Sequence, residues 1–366
     1  MNESGHSCPP TRVVNSIAPI RICDNGGWTD TWFAEYGKIF SIAVSPYVEV
    51  QMHVREHSGG RERITIHAEN YGERYSIPEP DGCYDKHPLL EAAIDYMDIP
   101  GDTAIDLCIY SEAPSGCSTG TSAAVSVALI GALDCLTPGR MVAHEVALVA
   151  QKIETELLGQ QCGIQDQIAS AYGGINYIEM HRYPRASVSP IRLPDSLWWE
   201  LQSRLALIYI GHAHSSSAVH EQVIEELENA GPEAAKLQPL RATAEKSRDA
   251  LCAGDFRALG EAMIENTEAQ ARLHPALISE GHRRIIDVAR EMGAIGWKVN
   301  GAGGEGGSVT LLMDTDRSAG REVVRRIEEE NELFRSIPVQ LTRTGLRVWE
   351  SGGGMPNEEC RMRNEE

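Results

Sequence analysis

Residues 114–133 read "PSGCSTGTSAAVSVALIGAL". A proline leads into small and hydroxyl-bearing residues with glycines at Gly116 and Gly120, and an uninterrupted apolar run follows. Just upstream, "AIDLCIYSEAP" (104–114) has the apolar, β-branched character of a strand that runs directly into this motif. A strand, a Gly/Ser/Thr turn and a helix of small residues together offer a way to bind phosphate. The first N–H groups of a helix have no intrahelical partner, and the helix dipole favours an anion there. Glycine lets the backbone approach a ligand closely, and the hydroxyls of Ser118, Thr119, Thr121 and Ser122 add donors or a metal ligand. The lysine of a Walker loop, GxxxxGK[ST], is missing. A core helix capped after a glycine turn fits the same residues, so this stretch alone leaves two readings open.

Two further segments separate them. "IETELLGQQCGIQDQIASAYGG" (153–174) places Glu154 twelve residues before Asp166, with a glycine-containing turn between them. Phosphoryl transfer needs one acidic group for a divalent cation and another beside the attacking hydroxyl. Glu156 competes with Glu154 as the cation ligand, and the twelve-residue spacing favours Glu154. "KVNGAGGEGGSVTLL" (298–312) is a second glycine-dense turn before an apolar strand, suited to close backbone packing against a ligand. Each segment is weak by itself; the three in this order are specific.

The totals narrow the function classes. The chain has 366 residues, 42% of them hydrophobic and 23% charged, the composition of an ordinary globular protein. Its net charge of −20 argues against a nucleic-acid or anionic-membrane partner. An anionic ligand must then be held by backbone N–H groups, a bound cation and a few chosen Arg or Lys residues. The nine cysteines are scattered, odd in number and without a CxxC pair, which fits reduced thiols better than a disulfide framework or a zinc site. No signal peptide or membrane span is read from "MNESGHSCPP" or from the longest apolar run, so a cytoplasmic protein is expected.

Along the chain, "TRVVNSIAPIRICDNGG" (11–27) reads as one or two strands broken at Pro19, and 38–54 and 63–70 as further strands. Helices are expected over 121–136 and 141–159, a helix or loop over 160–174, and a strand over 175–181. A buried strand at 204–211 is followed by a strongly helical block over 217–292, closed by a strand, a helix and a strand. Residues 351–366, polar and glycine-rich, read as a loose tail.

With these motifs in place, the chain resembles the GHMP kinase family over roughly residues 12–350. "EAPSGCSTGTSAA" is similar to the family's phosphate loop, "IETELLGQQCGIQDQ" to its metal-ligand and catalytic segment, and "NGAGGEGGSVTLL" to its C-terminal glycine motif. "APIRICDNGGWTDTWFAEYG" (18–37) resembles the N-terminal substrate motif, and its "GGWTDT" looks most like the anomeric sugar kinases, L-fucokinase and heptose 7-phosphate kinase. The resemblance implies a two-domain α+β fold, with an S5-like α/β domain over 12–200 and a ferredoxin-like domain over 201–350. It implies a Mg2+–ATP-dependent kinase acting on a hydroxyl of a sugar or sugar phosphate, at the anomeric carbon. A cyclitol phosphate, another alcohol, or a silent ligand-binding homologue are the alternatives. A monomer or homodimer is expected.

Carried over position by position, Asp166 would sit beside the acceptor hydroxyl and Arg21 would be the cation paired with it. Pro114, Gly116, Cys117, Ser118, Thr119, Gly120, Thr121 and Ser122 would cradle ATP. Ser122 and Glu154 would hold Mg2+, with Thr121 a substitute for the serine. Gly27, Trp28, Asp30, Asp166, Gly301 and Gly303 would bind substrate, although Trp28 also suits a core position and Asp30 a helix cap or turn. Departures from the family pattern are Ser118 and Thr119 in place of Gly-Leu, Thr121 in place of Ser, and Trp32 where fucokinase-like chains carry proline. Heptose kinases have an arginine near the substrate where this chain has His212, His214 and His220. That H-x-H spacing is a poor metal pattern, and a turn capped by Ser215 to Ser217 is the simpler reading.

Overall fold

The computed structural model describes residues 12–351 except 58, 60, 61, 78–81 and 212–216, and backbone only for 217–220. His212, His214, the side chain of His220 and the segment 352–366 therefore lie outside the described residues. The strands are β1 (Arg12–Asn25), β2 (Gly37–Glu56), β3 (Ile64–Ala68), β4 (Glu73–Ile77), β5 (Thr103–Ser111), β6 (Ile175–Arg182), β7 (Arg185–Pro190), β8 (Leu205–Tyr209), β9 (Gly296–Val299), β10 (Ser308–Leu312), β11 (Arg335–Ile337) and β12 (Arg347–Ser351). The helices are α1 (Pro88–Tyr96), α2 (Thr121–Leu133), α3 (Ala143–Lys152), α4 (Gln165–Tyr172), α5 (Asp195–Arg204), α6 (Ser217–Ala230), α7 (Leu237–Cys252), α8 (Phe256–Leu273), α9 (Glu280–Glu291) and α10 (Arg317–Glu330). None of the described helices is long and apolar enough to cross a membrane.

The first sheet runs β12-β1-β2-β5-β3-β4, with β6 and β7 attached through β2. β1 does not break at Pro19. It continues to Asn25, and the pairing with β2 shifts register between Pro19 and Ile20. Proline has no N–H to give the ladder, and a bulge absorbs that loss without ending the strand. One face of this sheet carries Ile20, Ile22, Phe40 and Ile42 into a core shared with α1 to α4.

Helix α2 is buried on nearly every side, touching β1, β2, β5, α1, α3 and α4. Its small residues follow from that crowding. A Cβ added at Gly131 would stand 2.7 Å from Leu346, where the chain returns to pair β12 with β1. A second sheet, β11-β8-β10-β9, packs with α9 and α10 around Ile285, Val299, Val309 and Ile327. α7 lies against β2 and α8 against β9, so these two helices join the sheets. A smaller apolar cluster gathers Trp28 and Phe33 with Ile224 of α6 and Leu240 of α7.

Candidate active site

The motif that opens α2 folds as an irregular loop. Gly116, Ser118 and Gly120 all have positive φ, at 72°, 57° and 71°. Gly120 occupies the N-cap and no side chain caps the helix, which leaves the first-turn amides to a ligand or solvent. Glycine suits that positive φ, and a Cβ on Gly120 would crowd the Asp166 carboxyl carbon at 3.2 Å.

Asp166 lies in the first turn of α4 and Arg21 on β1. Arg21 Nε and Nη2 donate to the two Asp166 oxygens at 2.7 and 3.0 Å, a bidentate pair. The same guanidinium donates from Nη1 to the Ser118 carbonyl at 2.6 Å, and the Arg21 amide donates to the Thr119 carbonyl at 2.9 Å. One arginine therefore fixes both the loop and the aspartate. Arg21 is 3% exposed. Burial works against its charge, but Asp166 and Asp24 outweigh that and hold it protonated.

Glu154 sits in a turn of π-helix, Ile153–Leu157, and accepts from Gln167 Nε2 at 2.8 Å. Burial, with Asp166 adding, pushes its carboxyl up to about 7. Glu156 is exposed and pairs with Lys152, so of the two candidates Glu154 faces the site. Asp30 Oδ2 accepts the amides of Ile164 at 2.9 Å and Gln165 at 3.0 Å, and thereby closes the N-terminal end of α4. Burial foremost, together with Asp166, pushes Asp30 up to about 6 despite those bonds.

These groups surround one cavity of about 410 Å³. The loop over 115–123, with Arg21, Asp24, Asp30, Glu154 and Asp166, forms its polar side. Trp28, Trp32, Phe33, Ile224 and Ala302 form an apolar side. Trp28 both packs in the small cluster and lines the cavity. Gly301 lines it as well, whereas Pro114, Gly27 and Gly303 do not. Gly303 instead turns against the Leu277 carbonyl, 1.9 Å from where its Cβ would be.

Asp24 and Lys298 are additions that sequence reasoning missed. Both are 1% exposed and their charged atoms are 3.2 Å apart. Asp24 also accepts the Gly301 amide at 3.1 Å and lies 4.0 Å from Arg21. Burial opposes its ionisation, yet Lys298, Arg21 and the Gly301 amide hold its carboxyl below the ordinary value. Lys298 donates further to Gln270 at 3.1 Å and to the Val299 carbonyl. Charged residues at two apolar strand ends, Arg21 and Asp24 in "RICD" and Lys298 in "GWKV", were the available signal.

This arrangement can be set beside known proteins. The description "GHMP kinases N terminal domain" matches residues 88–174, which include the phosphate loop, Glu154 and Asp166. "GHMP kinases C terminal" matches residues 247–332. The chain belongs to the GHMP kinase family. Within the family, it is 25% identical over 348 residues to the D-glycero-alpha-D-manno-heptose 7-phosphate kinase of Campylobacter jejuni, covering 92% of this chain and 99% of that one. It is 25% identical over 354 residues to the bifunctional fucokinase/GDP-fucose pyrophosphorylase of Arabidopsis thaliana, covering 90% of this chain and only 33% of that longer protein. Its fold matches a solved D-glycero-D-manno-heptose 1-phosphate kinase from Bacteriodes thetaiotaomicron with a TM-score of 0.71 at 23% identity, over 92% and 98% of the two chains. These GHMP kinase relatives are phosphotransferases that act on alcohol groups.

Proposed function

We propose that this protein transfers the γ-phosphoryl group of Mg2+–ATP to a hydroxyl of an unphosphorylated sugar, at its anomeric carbon. The observation that carries the reading is the Arg21–Asp166 pair, held between the uncapped end of α2 and the cavity. The residues present fit the absent groups. Unpartnered amides on a left-handed glycine loop suit the ATP phosphates. Glu154 and the Ser122 or Thr121 hydroxyl offer the hard oxygen ligands that Mg2+ prefers, and all three line the cavity. When bound, Mg2+ would neutralise phosphate charge during transfer.

In the reaction, the sugar oxygen bonds to the γ-phosphorus while the bond from that phosphorus to the β–γ bridging oxygen breaks, and ADP leaves. Asp166 orients the hydroxyl and receives its proton as transfer proceeds. Arg21 aims that carboxylate through its bidentate contact, which suits a loose transition state governed by positioning and charge. Asp30, though it caps α4, also faces the cavity and is available to sugar hydroxyls. The aromatic side suits the apolar face of a sugar ring.

The charge balance of the cavity favours an unphosphorylated acceptor. Its described lining holds four acidic side chains, Asp24, Asp30, Glu154 and Asp166, against the single guanidinium of Arg21, and the buried Lys298 behind it is taken up by Asp24. That guanidinium is already engaged by Asp166. Where heptose kinases carry an arginine near the substrate, the corresponding stretch of this sequence, "HAHSS" (212–216), has none. A sugar phosphate is the second reading, favoured by the name of the Campylobacter relative. The anomeric assignment rests on the likeness of "GGWTDT" to the anomeric sugar kinases. Incubation with Mg2+–ATP and paired panels of free sugars and their phosphates, read by mass spectrometry, tests both. Phosphorylation confined to the sugar phosphates would overturn the preferred acceptor.

A further inference from the structure

Away from the cavity, one cluster among the described residues brings three different metal-ligating side chains together. β3 and β5 run parallel, and His67 stands in register with Cys108. The chain turns after Ala68 into a 3-10 turn, Glu69–Tyr71, which swings Glu69 back over the same pair. His67 Nδ1 lies 3.6 Å from Cys108 Sγ, and Cys108 donates to Glu69 Oε1 at 2.7 Å. One ligand atom from each residue falls within 4.8 Å of the other two.

These separations suit zinc. Zn–S bonds of about 2.3 Å and Zn–N bonds of about 2.0 Å at tetrahedral angles require a sulfur–nitrogen edge of about 3.5 Å. The His67–Cys108 pair meets that requirement as it stands. The Cys108–Glu69 edge must open by somewhat less than 1 Å to reach the same geometry, and Glu69 is exposed and flexible enough to do so. Soft sulfur and borderline nitrogen favour Zn2+ or Co2+ over Mg2+, which prefers six oxygens.

We propose that His67 Nδ1, Cys108 Sγ and the Glu69 carboxylate bind one Zn2+ ion on the outer face of the first sheet, with the fourth position open to solvent. Binding forms one Zn–S, one Zn–N and one Zn–O bond and releases the Cys108 proton to solvent. Arg74, paired with His67 across β3 and β4, is the nearby cation the ion must tolerate. The turn that carries Glu69 is tied to the end of β5 through Asn70, whose side chain accepts from the Ser111 amide at 2.7 Å and donates to its carbonyl at 2.8 Å. The cluster escapes a search for CxxC or HxH spacing because its ligands come from neighbouring strands.

The test is a titration of the reduced, metal-stripped full chain with Co2+ and then Zn2+. The expected result is one equivalent bound, a thiolate-to-cobalt charge-transfer band, and displacement of Co2+ by Zn2+ but not by excess Mg2+. Cys108→Ser and His67→Ala should each weaken Zn2+ binding by about 10-fold or more and abolish the band in the serine variant. Cys252→Ser, at an exposed thiol elsewhere, should change nothing. Circular dichroism and unchanged Mg2+–ATP turnover verify that the variants are folded. Absence of Zn2+ binding in the wild-type chain would overturn the proposal. So would undiminished binding in both folded variants, which would place the ion outside this cluster.

Discussion

Arg21 makes two bonds to Asp166 and one to Ser118, so a single side chain fixes both the aspartate and the loop before α2. Replacing Asp166 with Asn preserves shape but removes the carboxylate proposed to orient the hydroxyl. Turnover should fall by about 100-fold or more while ATP binding, followed by calorimetry, changes little. Near-normal rates would refute the role. Asp30 gives a pH signature. Its folded value, raised to about 6 from the ordinary 3.8, means the folded protein holds this proton more tightly than the unfolded chain. The favourable contribution is complete below the unfolded value and is lost as pH rises through about 6. Asp30→Asn can keep the α4 cap while removing the ionisation. Its melting temperature should therefore gain on wild type between pH 4 and 7, while KM for the sugar rises; a constant difference across that range would contradict the shift. Asp24→Ala strands Lys298 as a buried unpaired cation and should cost about 3–5 kcal/mol in urea unfolding. Arg21, Glu154 and Asp166 were legible because they sit in local motifs. The Asp24–Lys298 pair was not, because its partners meet only when the two ends of the chain fold together.

At the scale of elements, a turn before α2 was readable because its glycines meet a local backbone demand, whereas choosing a ligand loop over a plain capped helix needed the other two motifs. Gly120→Ala tests that demand. It combines a φ of +71° with a Cβ 3.2 Å from the Asp166 carboxyl carbon, so it should reduce turnover by about 10-fold or more through displaced Asp166. Gly303→Ala should act differently. Its Cβ would stand 1.9 Å from the Leu277 carbonyl, away from the cavity, so thermal stability should fall sharply. Equal melting temperatures for Gly303→Ala and wild type would contradict this packing. The expected break at Pro19 failed because pairing with β2 carries the strand through a bulge, a long-range effect that local proline chemistry does not reveal. α1, β4, β7 and α5 were not anticipated, being short and held chiefly by their neighbours.

For the whole molecule, the net charge of −20 and the acidic cavity leave anion binding to local devices: the uncapped amides at α2 and, in the proposed reading, a cation at Glu154. The α+β class and the kinase family were legible because three motifs in order imply one topology. The return of β12 to pair with β1 was not, since "RVWES" has no distinctive pattern of its own. The acceptor remains the decisive property, because the same GHMP fold serves differently named kinases among the relatives. The measurement that tests it most directly is mass-spectrometric screening of neutral sugars and their phosphates with Mg2+–ATP, run in parallel on wild type and Asp166→Asn. The account predicts one phosphate added to a neutral sugar at its anomeric carbon by the wild type, with the variant reduced to a trace. No phosphorylated sugar from the wild type, or equal product from both proteins, would contradict it.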